Sequence, residues 1–592
     1  MQRWGWILTA SLLLPLGAGA QQAADPAQPA VAQTAQPAVV QPVSATPGLA
    51  IAKPVARTPV SVDQVVDQII EREHALITFL KNRTPLVETY LQNMTPDSKL
   101  GASPKEDHYF LGRLDMGDIV DRRDYLAKQM SFQQSLMGGV TKLFRIQYQP
   151  MGFSWMVFAD RQNFDRSHYD FRYVHREFLG EVKCLVFEVT PKKGAGTGLF
   201  EGQIWVEDQD YNIVRLNGTY VPRPKNAFYF HMDSWRLNLV PGYWIPAYIY
   251  SEEGDFSYGS KDKAAFKAQS RIWGYDVMKS SRDDELTDLR VDEVKDESPV
   301  SQDLSPLEAQ RQWQQQAEDN VVERLQKSGL LAPPGDVDKI LQTVINNIQI
   351  TNNIDLPRPV RARVMVTYPL ETFSVGNTIV ISRGLIDTLP DEAGLAAILS
   401  HELAHIVLGH NLGSKFAFND RMLFSDESTY QNFGFRHNPE EETAADAKAI
   451  ELLKNSPYAQ KLGSGGLYLK QLAARAPTLS ALLTSHLGNS LTDSKGQVTR
   501  LSALMTSAPA LDDAKLDQIA ALPLGGRIKL DPWGDHVEMV KAAPVAITSI
   551  RDKMPFEVTP FFPRLARLGI AATDTTTAEN SAAKESSTTT TK

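Results

Sequence analysis

The stretch "SHELAHIVLGH", Ser400 to His410, constrains the fold of this chain more than any other. It packs three of the eleven histidines into an apolar run. On an α-helix, His401 and His405 lie only ~40° apart around the axis and one turn apart along it, so both imidazoles reach one ion. Glu402 projects from the flank of the same face. It can meet a water on that ion but is angled away from ligation. His410 follows nine residues after His401 and falls ~180° round a continuous helix, so it cannot join the same ion unless the helix breaks at Gly409, and it reads as structural, packing or capping near the helix end. The helix is expected to begin after Thr388, because "TLPD" offers a capping hydroxyl, a proline and an early acid.

Two histidines do not complete a site, so a third ligand is required from another element. "RHNPEEETAADAKAIELL" supplies a candidate. Asn438 can cap, Pro439 suits a first turn, and Glu441 sits at the capping-box position. Past that start, Glu442 and Asp446 are four apart on one helix face. Glu442 is expected to ligate, and Asp446 to hydrogen-bond a ligand histidine and fix its tautomer. The competing reading is that these acids complement the positive end of a helix dipole, which suits Glu440 and Glu441.

Two histidines and a carboxylate form a catalytic zinc set with one open position, whereas structural zinc more often uses cysteines. The lone cysteine, Cys184, lies far off in "VKCLVFEV", an alternating strand-like run where it reads as a small core residue. Zinc acidifies a water and polarises a carbonyl. Glu402 would take the water's proton and pass it to the leaving amine. The expected reaction is hydrolysis of a peptide bond, with one Zn2+ per chain.

At 592 residues the chain is too long for one core. A net charge of -9 with mixed signs gives no polyanion-binding surface, so no nucleic-acid partner is expected. The start, "MQRWGWILTASLLLPLGAGAQQ", has a basic residue, a short apolar run and small residues at Ala18–Ala20. That is the layout of a secretory signal cleaved near Ala20, after which the protein is periplasmic or secreted. No later stretch is long and apolar enough to span a bilayer, so no transmembrane helix is expected in the mature chain.

The organisation reads as a signal peptide (1–20), a disordered Pro/Ala/Gln linker (21–60), an N-terminal helix with an antiparallel β-rich domain (61–300), a zinc metallopeptidase domain (301–520), a C-terminal extension (521–571) and a disordered Ser/Thr tail (572–592). The β-rich assignment rests on successive hairpins. "EGQIWVEDQDYNIVRLNGTYV" joins two alternating runs by a polar turn, "WRLNLVPGYWIPAYIYSE" bends at Pro241-Gly242, and "FRYVHREFLGEVKCLVFEVTP" repeats the plan. The later part is mainly helical, with a strand-like interruption around "RARVMVTYPLETFSVGNTIVIS". The fold class is therefore α+β.

The stretches "SRGLIDTLPDEAGLAAILSHELAHIVLGH" and "EETAADAKAIELL" resemble the zinc endopeptidase family of the CAAX prenyl proteases and HtpX-type proteases, a gluzincin group. The resemblance implies that His401, His405 and Glu442 are ligands, Glu402 the catalytic base and Asp446 the residue behind a ligand. It further implies that the strand in "FSVGNTIVIS" pairs with extended substrate. A later family motif, a His-Pro pair and then an Arg, is answered by His486, without the proline, and by Arg500. One of the two is expected to support the oxyanion. Lacking membrane helices, the chain is more like soluble periplasmic members, which the resemblance links to quality control of unfolded or mislocalised envelope proteins. The N-terminal sheet resembles periplasmic lipoprotein-carrier domains, which makes a lipid or peptide ligand of that sheet a further expectation. The alternatives to a protease are a chaperone or assembly factor with a structural metal, and a lipid-carrying β-domain protein. The segment "LGGRIKLDPWGDHVEMV" has strand-like alternation, and His536 within it is not expected to be a ligand.

Overall fold

A computed structural model describes residues 59, 61–117, 121–124, 150–222, 230–257, 263–275, 306–410, 430, 435–488, 491–493, 497–525, 527–530, 537–539 and 547–567. All fall within one compact unit, Val55–Lys592. The signal segment, the linker apart from Pro59, the charged connector before Pro306, His536 and the Ser/Thr tail lie outside the described residues.

The alternating runs build a ten-stranded antiparallel sheet. Its strands are β1 (Leu86–Asp97), β2 (Gly101–Asp115), β3 (Asp121–Asp124), β4 (Tyr169–Leu179), β5 (Val182–Pro191), β6 (Leu199–Glu207), β7 (Ile213–Val221), β8 (Met232–Val240), β9 (Tyr243–Ser257) and β10 (Lys263–Trp273). Strands β4 to β10 meander in chain order, and β10 then pairs with β1, which is followed by β2 and β3. Pro241-Gly242 forms the β8–β9 turn as expected, with Gly242 at φ 81°. Cys184 is buried on β5, and burial pushes its thiol up to about 12, which suits a core residue and not a nucleophile.

Strand β1 lies between two cores. Val87 and Leu91 face helix α1 (Val62–Leu80) and pack with Val66, Ile69, Leu76 and Leu80. The alternate residues Leu86 and Tyr90 pack instead with Leu331, Ile381 and Leu399 from the second half of the chain. Glu88, Gln92 and Asp107 on that second face each have partners across the molecule. Glu88 accepts from Tyr109 Oη at 2.9 Å, Tyr368 N at 2.6 Å and Arg383 Nη2 at 3.0 Å. Gln92 donates to Phe556 O at 2.6 Å and accepts from Val558 N at 2.8 Å. Asp107 on β2 accepts from Ala481 N at 2.9 Å and Leu482 N at 2.8 Å. Unpaired, each such group would cost a few kcal/mol. Paired, they hold the sheet in one register against the helical half.

That half contains the helices α3 (Pro306–Lys327) and α4 (Asp336–Thr351), where α2 is the short Pro150–Trp155 in the first half. A three-stranded sheet follows, of β11 (Arg361–Met365), β12 (Thr372–Val375) and β13 (Thr378–Ser382). Its order is β11-β13-β12, with β11 parallel and β12 antiparallel to β13. Then come α5 (Arg383–Thr388), α6 (Glu392–Leu408), α7 (Pro439–Lys454), α8 (Leu462–Arg475), α9 (Ser480–Leu483) and α10 (Ser502–Ser507). The alternating segment after them pairs as β14 (Ile528–Leu530) and β15 (Val537–Met539). Among the described residues, no helix is long and apolar enough to cross a membrane.

Helix α6 is buried on every side from Ala393 to His405, as an all-apolar helix must be. Gly465 of α8 lets Ala397 approach to 3.4 Å of where a Cβ would stand. The start of α6 differs from expectation. Thr388 closes α5, its hydroxyl donating to Leu385 O, and the cap of α6 is Asp391, whose carboxylate accepts from Gly394 N at 2.8 Å. The reason is Pro390. It forces Leu389 into extended backbone (ψ 131°), so a new helix can nucleate only beyond it.

Candidate metal centre

Helices α6 and α7 carry the site. At the start of α7, Asn438 Oδ1 accepts from Glu440 N and Glu441 N at 3.1 and 2.9 Å, and Glu441 reaches back to Asn438 N at 3.3 Å. This is the expected capping box, with Pro439 in the first turn. It leaves Glu442 facing α6. His401 Nε2 and His405 Nε2 stand 3.2 Å apart, and the Glu442 carboxylate lies 3.2 Å from the first and 3.6 Å from the second. One donor atom of each residue lies within 4.8 Å of the others.

Each imidazole is oriented through its other nitrogen. His401 Nδ1 is 2.8 Å from Asp446 Oδ1, and His405 Nδ1 is 3.0 Å from His410 Nδ1. Two nitrogens bound to a tetrahedral zinc at ~2.0–2.1 Å stand ~3.3 Å apart, so the three donors fit such an ion. Burial and the charge of Arg500 oppose a proton on His401, yet its bonds to Asp446 and Glu442 hold its pKa above the ordinary value. Burial first, then the neighbouring imidazole, pushes His405 well down and favours its neutral, ligating form. Burial raises Glu442, but the bond from His401 and the charge of Arg500 hold it below the ordinary carboxylate value.

Glu402 is buried beside the set. Its Oε1 accepts from Arg500 Nη1 at 3.0 Å, while Oε2 is buried with no hydrogen-bond partner among the described residues. Arg500 also places Nε 3.3 Å from Glu442 Oε2, an ion pair without hydrogen-bond geometry. Asp446 reinforces this arrangement. Its second oxygen accepts from Leu501 N at 2.9 Å, and Leu501 adopts φ 54°.

The structure thus brings together His401, Glu402, His405, Glu442 and Asp446. His486 joins none of their contacts. Its ring stacks on Tyr109 at 5.1 Å, Nε2 meets Ala481 O at 3.2 Å, and burial pushes its pKa down to about 4. Of the two residues expected to serve the oxyanion, it is Arg500 that reaches the site.

His410 does not lie opposite its partners. Helix α6 ends at Leu408, and Gly409 turns left-handed at φ 70°. Gly409 N–H donates to Ile406 O and His410 N–H to His405 O, a glycine-terminated helix end that folds the next side chain back. The 100° rule applies only while the helix continues. Sequence reasoning also missed His437. Its ring lies flat on His405, with centroids 3.9 Å apart and planes at 14°. The only local signal is its place just before the cap of α7, where a side chain commonly folds back along the helix.

Strand β12 stands at the edge of its sheet, where substrate pairing was expected. All four of its residues are nevertheless buried. Phe435 packs on Phe373 at 4.6 Å, and Arg500 Nη1 reaches Thr372 O at 3.4 Å.

Residues 336–424 match the family model of peptidase family M48. The matched segment spans α4, the three-stranded sheet, α5 and α6, with His401, Glu402 and His405. Glu442 and Asp446 lie beyond it in sequence and meet it in space. The match supports a metallopeptidase, in agreement with the chemistry of the donor set. No curated protein matches the chain. A DUF1329 family protein from Desulfovibrio piger is 13% identical, over 37% of this chain and 95% of its own, with a TM-score of 0.19. A domain described as an outer membrane lipoprotein-sorting protein from Vibrio parahaemolyticus is 8% identical, over 35% of this chain and 92% of its own, with a TM-score of 0.17. Scores this low carry no assignment.

Proposed function

We propose that this chain is an exported zinc metalloendopeptidase that cleaves unfolded or mislocalised envelope proteins in the periplasm. One observation carries the reading. Two imidazole nitrogens and a carboxylate converge within 4.8 Å, beside a buried carboxylate oxygen, Glu402 Oε2, that no described residue satisfies. A purely structural metal needs no such base at its side.

Zinc bound there would acidify a water and polarise the scissile carbonyl. His401, His405 and Glu442 would hold the ion, and Asp446, at 2.8 Å from His401 Nδ1, would set the tautomer of His401. Arg500 occupies Oε1 of Glu402, so Oε2 is the oxygen left to take a proton from water and deliver it to the leaving amine. The export assignment is supported by the basic, apolar and small-residue layout of residues 1–20.

The test is Glu402→Gln in the full mature chain. Zinc content should match the parent, and cleavage of unfolded casein should fall at least ~100-fold. Equal cleavage by parent and variant would sink the mechanism. If neither cleaves while both assist refolding of a client, the chain is a chaperone with a structural metal.

A further inference from the structure

A ligand histidine binds a metal well only when its ring is held in one plane and its far nitrogen has a partner of the right kind. For His401 that partner is the Asp446 carboxylate, at 2.8 Å. For His405 no carboxylate among the described residues does this. We propose that His410 and His437 are positioning residues that hold His405 as an imidazole clamp, one by its edge and one by its face. This rests on the metallopeptidase reading.

The edge contact is His405 Nδ1 to His410 Nδ1, at 3.0 Å. When Nε2 of His405 is the donor to the metal, its Nδ1 must carry the proton. His410 Nδ1 then accepts, which puts the proton of His410 on Nε2. The bond fixes the ligand's tautomer by a neutral acceptor. The left-handed turn at Gly409 is what brings that acceptor round.

The face contact is the stack of His437 on His405, at 3.9 Å and 14°. The side chain of His437 is only 3% exposed, and its Nδ1 is held by Glu441 Oε2 at 3.1 Å. Its Nε2 is buried without a partner among the described residues. The bond to Glu441 and the stack are therefore what fix this ring. Glu441 belongs to the capping box of α7, so the helix that presents Glu442 to the metal also sets the wall behind His405.

The two ligand histidines are thus supported unequally. A carboxylate behind His401 makes that ring the stronger donor, and a neutral imidazole behind His405 leaves it the weaker.

The experiment compares the full mature chain with His410→Ala, His410→Asn, His437→Ala and His437→Phe. Zinc affinity is read by chelator competition, and ligand geometry by the visible absorption of the Co2+-loaded protein. His410→Ala should bind zinc roughly 10–100-fold more weakly with an altered Co2+ spectrum. His410→Asn keeps an acceptor oxygen and should stay within about 3-fold of the parent. His437→Phe keeps the stacked face and should resemble the parent, while His437→Ala should bind several-fold more weakly.

Unchanged affinity in both alanine variants overturns the clamp. Equal losses in His437→Phe and His437→Ala overturn the face contact, because the nitrogen and not the ring would then matter. A parent that binds no zinc fails the metallopeptidase reading itself, which separates the two claims.

Discussion

Glu371 is a carboxyl sealed inside the molecule next to strand β12, and it makes a sharp thermodynamic prediction. It is 1% exposed and accepts from the backbone N–H groups of His486 and Leu487 through one oxygen, Oε1. Burial raises its pKa from the ordinary 4.5 to about 7, against the opposing pull of those two bonds. A carboxyl whose folded pKa exceeds its unfolded one binds a proton more tightly when folded. Stability from this group is therefore fully present below about 4.5 and is lost as pH rises toward about 7. At ~1.4 kcal/mol per pH unit, the gap is worth about 3 kcal/mol. Glu371→Gln keeps Oε1 as acceptor and cannot ionise. Urea unfolding of the EDTA-treated parent and variant at about pH 5 and about pH 8 isolates the effect, since other titrating groups cancel in the difference. The variant should gain about 2.5 kcal/mol on the parent between the two pH values, since the unfolded carboxyl is already largely ionised at about pH 5. A difference that stays constant, or that moves in the parent's favour as pH rises, refutes the argument.

Two further outcomes are expected. Glu73→Ala on α1 strips the bidentate partner, at 2.6 and 2.7 Å, from the buried Arg236, and should cost about 3–5 kcal/mol by urea unfolding. Arg500→Met releases Oε1 of Glu402 and should lower kcat on casein by roughly 10-fold or more, with zinc content by atomic absorption near the parent's.

Much of the site could be read locally. His401 and His405 share a helix face through periodicity alone, and the Asn438-Pro439 cap sets the phase of α7 that turns Glu442 and Asp446 to one side. The hairpins were legible for the same reason, because alternation and turn residues are short-range signals. Legibility failed where a backbone reversal or a long sequence gap intervened. Thr388 looked like a cap until Pro390 placed the boundary after it. His410 falls opposite its partners only on a continuous helix, and whether the helix stops at Gly409 is decided by the left-handed turn the fold adopts there.

Periodicity and capping chemistry therefore determined which residues share a helix face, since those depend only on neighbours within a turn or two. The tertiary structure decided the rest. Arg500 reaches Glu402 across 98 positions of sequence, His437 is laid on His405 by the packing of α7 against α6, and Asp107 of the sheet is held by backbone of α9. No local pattern encodes such pairings. They depend on elements far apart in sequence packing together, which offsets most of the cost of burying these polar groups.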